Sequence, residues 1–472
     1  MIIHRRPEPD LATVLRMFRD AGATRLFRKD LAANDNTKNQ IYLAGDLSVI
    51  NVLPSGPVTS DVTSDERLEG KKGKPLKAAL SFAWLDAHGN RHPAPAAQLI
   101  LYPQYPEVRL SGVLRGSTAG LGEWLDPSKR GRSSGRTLLI GTTPAGEVLA
   151  HLALPGSALA AGIRDAPRGQ RFGALFELQV DNEDTYELLL TELCRIHRLG
   201  WINATRLDAS GERLACTGPN CGGMTLEAEF GIRPNGSSAP DFKGWEVKTI
   251  SARNGRKLWP DAKTVTLMTP EPDGGIYRDK GVDSFIRRFG YPDKKGRVDR
   301  INFGGRYAVG EQSTAGRPRL VMIGFDSASG KITDTDGGLA LVLHDECAAS
   351  WSYKKLIQHW KRKHNQAVYV PNECEKGSPP KYRYGDTACI GRGAEFERFV
   401  AALASGAIIY DPGIKLEGAS TVRPIVKRRS QFRAKMSNLS NLYGSFETVK
   451  VCRHETRHAT QGANCPQRQR TT

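Results

Sequence analysis

The segment APDFKGWEVKT, residues 239–249, places Asp241, Glu246 and Lys248 in a D-x4-E-x-K spacing preceded by Pro240. Strand side chains alternate between faces, so Glu246 and Lys248, two residues apart, leave the same face, and Asp241 joins them from the preceding strand or turn. Two converging carboxylates supply hard oxygen ligands of the kind Mg²⁺ accepts while it keeps several waters and takes a phosphate oxygen. A lysine beside them can orient the attacking water or, as the neutral amine, deprotonate it, and as the ammonium can stabilise a pentavalent, phosphorane-like transition state. That is the chemistry of phosphodiester hydrolysis. An exposed strand with alternating charges would produce the same string, so the spacing alone leaves both readings open.

A third carboxylate, Glu227, stands fourteen residues before Asp241. The stretch TLEAEFGI reads as a helix or helix end stopped by RPNGSSAP, with Leu226, Phe230 and Ile232 burying one face. Glu227 is then free to point at a neighbouring site and orient metal-bound waters or serve a second metal. Glu229 faces elsewhere and is expected in solvent. Other groupings carry less: Cys452, His454, His458 and Cys465 match no standard zinc spacing and lack an apolar core. Cys216 and Cys221 read as loop thiols, and His359 and His364 fall on different faces of one helix.

The run GPNCGGMTLEAEFGIRPNGSSAPDFKGWEVKT, followed by TPEPDGGIYRDKGVDSFIRRFGYPD and RINFGGRY, resembles the MvaI/BcnI family of type II restriction endonucleases, which are related in fold to MutH-like nickases. The resemblance covers residues 180 to 450 approximately. It implies a PD-(D/E)XK nuclease core with Glu227, Asp241, Glu246 and Lys248 at the catalytic positions and Asp241 and Glu246 on Mg²⁺. It also implies cleavage of unmodified double-stranded DNA at a short, pseudo-symmetric, C/G-rich site by a monomer, with a DNA methyltransferase as functional partner. A MutH-like strand-nicking repair enzyme is the nearest alternative. A DNA-binding regulator with a degenerate nuclease core is another, favoured by a missing catalytic position, and none is missing.

These residues need elements to hold them. Asp181–Leu199 shows a helical period with acidic residues at its start. WEVKTISAR, TVTLMTP, RPRLVMIGFDS and GGLALVLHD read as strands, and VDSFIRRFGY and WSYKKLIQHWKRKH as helices. The fold class is α/β (α+β), a mixed sheet flanked by helices over 175–450. Before it, residues 1–160 form a β-rich domain opened by a helix from Asp10 to Asp20, and 161–174 a linker rich in small residues. The β-rich part faintly resembles the B3-like effector-binding domains of restriction enzymes at LFRKDLAANDNTKNQIYL, with Asn34, Asp35 and Gln40 between basic residues and a strand. Residues 451–472 read as a disordered basic tail.

Charge points to the partner. The chain of 472 residues carries 68 Lys and Arg against 50 Asp and Glu, a formal charge of +18. From Trp351 to Thr472 the count is 22 against 9, so most of the excess lies in the last quarter. A basic region of this kind suits a polyanion, because displaced counterions drive binding. Lys361, Arg362, Lys363, His364, Asn365 and Gln366, at a helix end, and Lys427, Arg428, Arg429, Gln431 and Arg433 are the candidate contacts to phosphates and base edges. Solvated faces would have the same composition. No apolar run approaches the roughly 20 residues of a membrane span, and MIIHRRPEPD lacks the core of a secretory signal. A cytoplasmic protein with its eight cysteines reduced is the expectation.

Overall fold

The computed structural model describes residues 9–32, 40–60, 75–105, 107–178, 185–233, 241–251, 264–311, 316–360 and 366–452. They divide into two compact units that do not follow chain order. One takes its residues from 1–182, 264–365 and 392–444, the other from 183–263, 366–391 and 445–472. Among the described residues no helix is long and apolar enough to cross a membrane.

The first unit is sheet-rich from its start. Asp10 accepts the Thr13 N–H at 2.8 Å and so satisfies an otherwise orphaned donor at the start of the helix Leu11–Asp20. Val14 and Phe18, four apart, face inward together. With Leu159 and Ile163 of the helix Ala158–Asp165 they cover a seven-stranded sheet, where Leu26, Leu139 and Leu149 complete the core. Gly141 lies under Phe18: a Cβ there would sit 2.5 Å from the ring, so only glycine lets the ring rest on the strand. Along the sheet the strands run Arg171–Phe172, Leu175–Leu178, Arg25–Asp30, Thr137–Thr142, Glu147–Ala153, Ser81–Leu85 and Arg91–Pro93. The stretch read as a linker thus contributes a helix and a strand to this layer. A five-stranded antiparallel sheet lies in the same unit: Ile41–Ala44, Glu107–Ser111, Gln98–Tyr102, Leu76–Ala79 and Val58–Ser60.

Later segments of the chain close the unit. The Leu47 N–H donates to Glu397 Oε1 at 3.1 Å, Asn51 Nδ2 to the Ala394 carbonyl at 2.9 Å, and the Val58 N–H to Gln358 Oε1 at 2.9 Å. The helices Tyr353–Trp360 and Phe396–Ala404 supply Gln358 and Glu397, Ala394 ends the strand Thr387–Ala394, and Trp360 packs against Phe399 with ring centroids 4.6 Å apart. Asn34 and Asp35 lie outside the described residues; Gln40 accepts from Arg109 Nη1 at 3.2 Å.

The second unit is built on a six-stranded sheet. Ile202–Asn203, Lys381–Tyr384, Gln366–Glu375, Thr387–Ala394 and Tyr443–Lys450 run in that order, and Glu246–Ser251 pairs in parallel with Gln366–Glu375. The helix Thr185–Arg198 buries Leu189, Leu190, Leu193 and Ile196 against Trp245, Val247, Val368 and Val370. Asp181–Asp184, the start of the expected helix, fall outside the described residues, as do 453–472 of the tail. The expectation of reduced thiols is corrected here. Cys194 is joined to Cys452 across 258 residues of chain, and Cys216 to Cys221. A bridge closing so long a loop removes unfolded-state freedom worth up to about 5 kcal/mol in the chain-entropy model. Only the fold brings Cys194 and Cys452 together, whereas Cys216 and Cys221, read as loop thiols, lie five residues apart.

Burial pushes the Glu397 carboxyl up to about 7 from its ordinary 4.5, and the nearby Asp46 carboxylate adds to the effect. The folded state then holds a proton that the unfolded chain releases between these values, so stability falls as pH rises from 4.5 to 7. Glu397→Gln should remove that slope and leave the variant more stable than the parent at pH 8 by about 1–3 kcal/mol, read from unfolding midpoints at pH 5 and pH 8. An equal pH dependence in both proteins would contradict the burial argument. Alkylation of the folded protein without reductant, followed by mass mapping, should label exposed Cys374 and leave Cys194, Cys216, Cys221 and Cys452 unlabelled.

Candidate active site

The approach to the site is a tight hairpin. The Phe242 N–H donates to the Trp245 carbonyl at 3.0 Å, and the Trp245 N–H to the Phe242 carbonyl at 2.7 Å. Lys243 and Gly244, at the centre, take φ of 45° and 89°, the positive pair of a type I′ turn. Glycine is at ease there, whereas lysine is held in a region few side chains enter. The turn brings Asp241 back onto the strand that follows, and its Oδ2 accepts the Val247 N–H at 2.9 Å.

Alternation along Glu246–Ser251 does the rest. Trp245 and Val247 point into the core beneath the helix Thr185–Arg198. Glu246 and Lys248 leave the opposite face, in register with Ala367 and Tyr369 of the parallel neighbour. Glu246 is only 3% exposed, and Lys248 Nζ donates to its Oε1 at 2.8 Å. A carboxylate so buried requires a counter-charge, and the ammonium two residues on supplies it.

Glu227 sits on the helix Cys221–Glu229, half-buried, and this helix packs against the strand that carries Glu246 and Lys248. Thr225 fixes the helix from the other side: its hydroxyl accepts the Thr205 N–H and donates to the Thr205 carbonyl, each at 3.1 Å. Tyr384 reaches the helix start and donates to the Gly222 carbonyl at 2.7 Å, and burial pushes its phenol well above the ordinary range. Glu229 corrects the sequence reading, which put it in solvent. Its side chain is enclosed by Arg213 at 2.5 Å and Arg195 at 3.7 Å, a clamp on the end of the helix Cys221–Glu229 that no local spacing foretells.

Among the described residues no group of three or more His, Cys, Asp and Glu forms a ready metal cage. Mg²⁺ is commonly bound by one or two carboxylates, with waters and substrate phosphate filling the remaining positions, and the Asp241 and Glu246 donor set fits that pattern.

The candidate DNA contacts fare unevenly. Lys361, Lys363 and His364, with Arg362 and Asn365, lie outside the described residues. Gln366, expected at a helix end, is instead buried at the start of a strand. Arg428 and Arg429 are exposed, and Lys427, also exposed, pairs with Glu417 at 3.1 Å. Arg433 is engaged by Asp411 at 2.6 Å and by the Thr264 carbonyl at 2.9 Å, which ties three strand ends together.

Among solved structures, one of the restriction endonuclease MvaI with its cognate DNA matches at 16% identity over 57% of this chain and 100% of that one, with a TM-score of 0.42. MvaI without DNA matches at 16% identity over 57% and 99%, with a TM-score of 0.30. No curated protein matches the chain. The family model for MvaI/BcnI restriction endonucleases matches residues 190–443, which include Glu227, Asp241, Glu246 and Lys248 and make up more than half of the sequence, so the chain belongs to the MvaI/BcnI restriction endonuclease family.

Proposed function

We propose that the protein is a type II site-specific endonuclease that hydrolyses phosphodiester bonds of unmodified double-stranded DNA at a short, pseudo-symmetric, C/G-rich site. The observation that carries this reading is the buried Glu246 carboxylate with the Lys248 ammonium 2.8 Å away, on the strand to which Asp241 is hydrogen-bonded. Family membership supports the same activity. Asp241 and Glu246 are the residues that would hold Mg²⁺, which when bound supplies Lewis acidity and lowers the pKa of water. The hydrogen bond from Val247 restricts Asp241, so the carboxylate is oriented before substrate arrives.

Lys248 has two tasks in this reading. At rest its ammonium neutralises Glu246. In the reaction it turns a donor toward the attacking water and toward the non-bridging phosphate oxygen on which charge grows, the interaction that favours the transition state over the ground state. Water forms the new P–O bond as the 3′ oxygen leaves. Glu227 orients water at the edge of the site. The basic residues Lys361, Lys363, His364, Lys427, Arg428, Arg429 and Arg433 are assigned to the DNA backbone and base edges. The protein acts as a cytoplasmic monomer, and a DNA methyltransferase protects the host sites. The nuclease function is assigned to residues 175–450 and a DNA- or effector-binding role to 1–160.

Asp241→Ala, Glu246→Ala and Lys248→Ala should each lower plasmid cleavage in Mg²⁺ by at least about a thousandfold, and the double variants should lose little more, because the three groups act as one unit. Glu227→Ala should cost less. With Ca²⁺ in place of Mg²⁺, binding should persist without efficient cleavage. Wild-type rates in any of the first three variants would overturn the assignment. Persistent single-strand nicks from the parent protein would favour the MutH-like nickase.

A further inference from the structure

A cavity of about 400 Å³ opens in the first unit, bordered by Tyr42, Asp46, Ser48, Arg171, Gly393 and Glu395. That size lies within the range of small-ligand sites. Asp241, Glu246, Lys248 and Glu227 belong to the other unit, so this cavity is not the candidate active site. Three chain segments are fastened around it. The Ala174 N–H donates to the Leu43 carbonyl at 2.7 Å, and a Cβ on Gly173 would fall 2.3 Å from the Ala44 Cβ, so the segments 41–48 and 171–174 meet closely there. The Leu47 N–H, bonded to Glu397, brings in the third.

The polar groups around the cavity are not all matched with one another. Glu395 takes the Arg398 Nε at 3.1 Å. Asp46 and Arg171 have no ion-pair partner among the described residues: Asp46 Oδ1 accepts the Ser48 N–H at 2.8 Å, and Arg171 Nε donates to the Gly173 carbonyl at 2.7 Å while its guanidinium lies 5.6 Å from the centre of the Phe176 ring. Ser48 is 8% exposed, and its enclosed Oγ meets no hydrogen-bond partner among the described residues. A buried hydroxyl costs free energy until something meets it. Tyr42, 46% exposed, feels both charges: partial burial and then the Glu107 and Asp46 carboxylates push its phenol up, whereas Arg171 acts the other way. Its hydroxyl lies over Gly45, where a Cβ would come within 2.8 Å of it.

These groups select a ligand by elimination. A metal ion or an amine would satisfy Asp46 and be repelled by Arg171, and an inorganic anion would do the reverse. The two charges together call for N–H donors at one end of the ligand and an anion at the other. The bond from the Ser48 N–H sets a hydroxyl donor beside the carboxylate acceptors of Asp46. Among the DNA bases, guanine has the converse edge, a carbonyl oxygen followed by two N–H donors; adenine, cytosine and thymine each turn an acceptor toward a carboxylate oxygen. A half-exposed phenol gives a base a surface to stack on, and a guanidinium without a carboxylate takes a phosphate.

We propose that this cavity binds a guanine nucleotide, with the base edge on Asp46 and Ser48, the base plane on Tyr42 and the phosphate on Arg171. The ligand is a free nucleotide or an unpaired nucleotide of a DNA strand, because the recognised groups are the same in both. The inference rests on the reading of residues 1–160 as DNA- or effector-binding, to which it adds a site and a ligand class, and it does not need the nuclease reading.

The full-length protein is titrated calorimetrically without divalent cations, first with GMP, AMP and guanosine, then with a thymine oligonucleotide containing one guanine and with its all-thymine counterpart. GMP should bind at one site, and AMP and guanosine at least about tenfold more weakly, since each forfeits hydrogen bonds to a charged group. Asp46→Asn keeps an acceptor for the Ser48 N–H and should erase the preference for GMP over AMP. Arg171→Gln should erase the preference for GMP over guanosine. Ser48→Ala removes a hydroxyl without a partner, so it should weaken GMP about fivefold with no loss in unfolding midpoint. Guanine-dependent oligonucleotide binding that GMP displaces would place the nucleotide in a DNA strand, and GMP binding without it would make the ligand a free nucleotide; either result supports the site. GMP binding that all three variants leave unchanged would overturn the site and leave an effector role for residues 1–160 intact. Oligonucleotide binding indifferent to guanine and to the variants, with no binding of GMP, would likewise overturn the site alone. Binding of no ligand at all would overturn the reading of residues 1–160 with it.

Discussion

A carboxylate removed from water cannot remain charged without a partner, and Glu246 is such a group, almost wholly enclosed on a strand whose other face is committed to the core. Lys248 meets the need at 2.8 Å. Because the two residues share one strand face, the pairing requires the strand to be straight and in register, and the parallel neighbour Gln366–Glu375 holds it so. The turn through Lys243 and Gly244 then places Asp241 on the same strand, with Val247 as its anchor. Burying an ion pair in this way is weak evidence for stability, since desolvation offsets much of the attraction. The proposed function gives a better reason for it: two oxygen ligands that would hold a metal ion and a donor that would meet phosphate are set in place in a site of low dielectric.

The same constraint explains how much of the molecule could be read from its residues. The D-x4-E-x-K spacing and strand alternation together place Glu246 and Lys248 on one face, and the structure has them there. The helix after Asp10 was equally legible, because a capping aspartate and an i, i+4 apolar pair are local signals. What failed depended on contacts distant in sequence. Glu229 looked solvated because Arg195 and Arg213 lie far from it in sequence and only the fold brings them to its carboxylate. Gln366 looked like a helix-end donor because the basic run before it continues the helical composition, yet it opens a buried strand. The bridge between Cys194 and Cys452 spans 258 residues, and no spacing rule reaches that far.

Unit composition was the least legible feature. Residues 264–365 and 392–444 share a compact unit with the β-rich start of the chain. The links are single hydrogen bonds, such as Leu47 to Glu397 and Val58 to Gln358, made by ordinary polar residues on unremarkable helices. Glu397 is the telling member, a carboxyl kept protonated toward neutrality because the chain closes over it.

The central claim is that Asp241, Glu246 and Lys248 serve sequence-specific hydrolysis of duplex DNA. It is tested most directly by incubating the purified protein with unmodified bacteriophage DNA in Mg²⁺ and sequencing the fragment ends. The account predicts a discrete set of fragments whose ends share one short sequence, with 5′-phosphate and 3′-hydroxyl termini, and no fragments when Mg²⁺ is withheld. Intact DNA at all protein concentrations, or ends scattered without a common sequence, would contradict it.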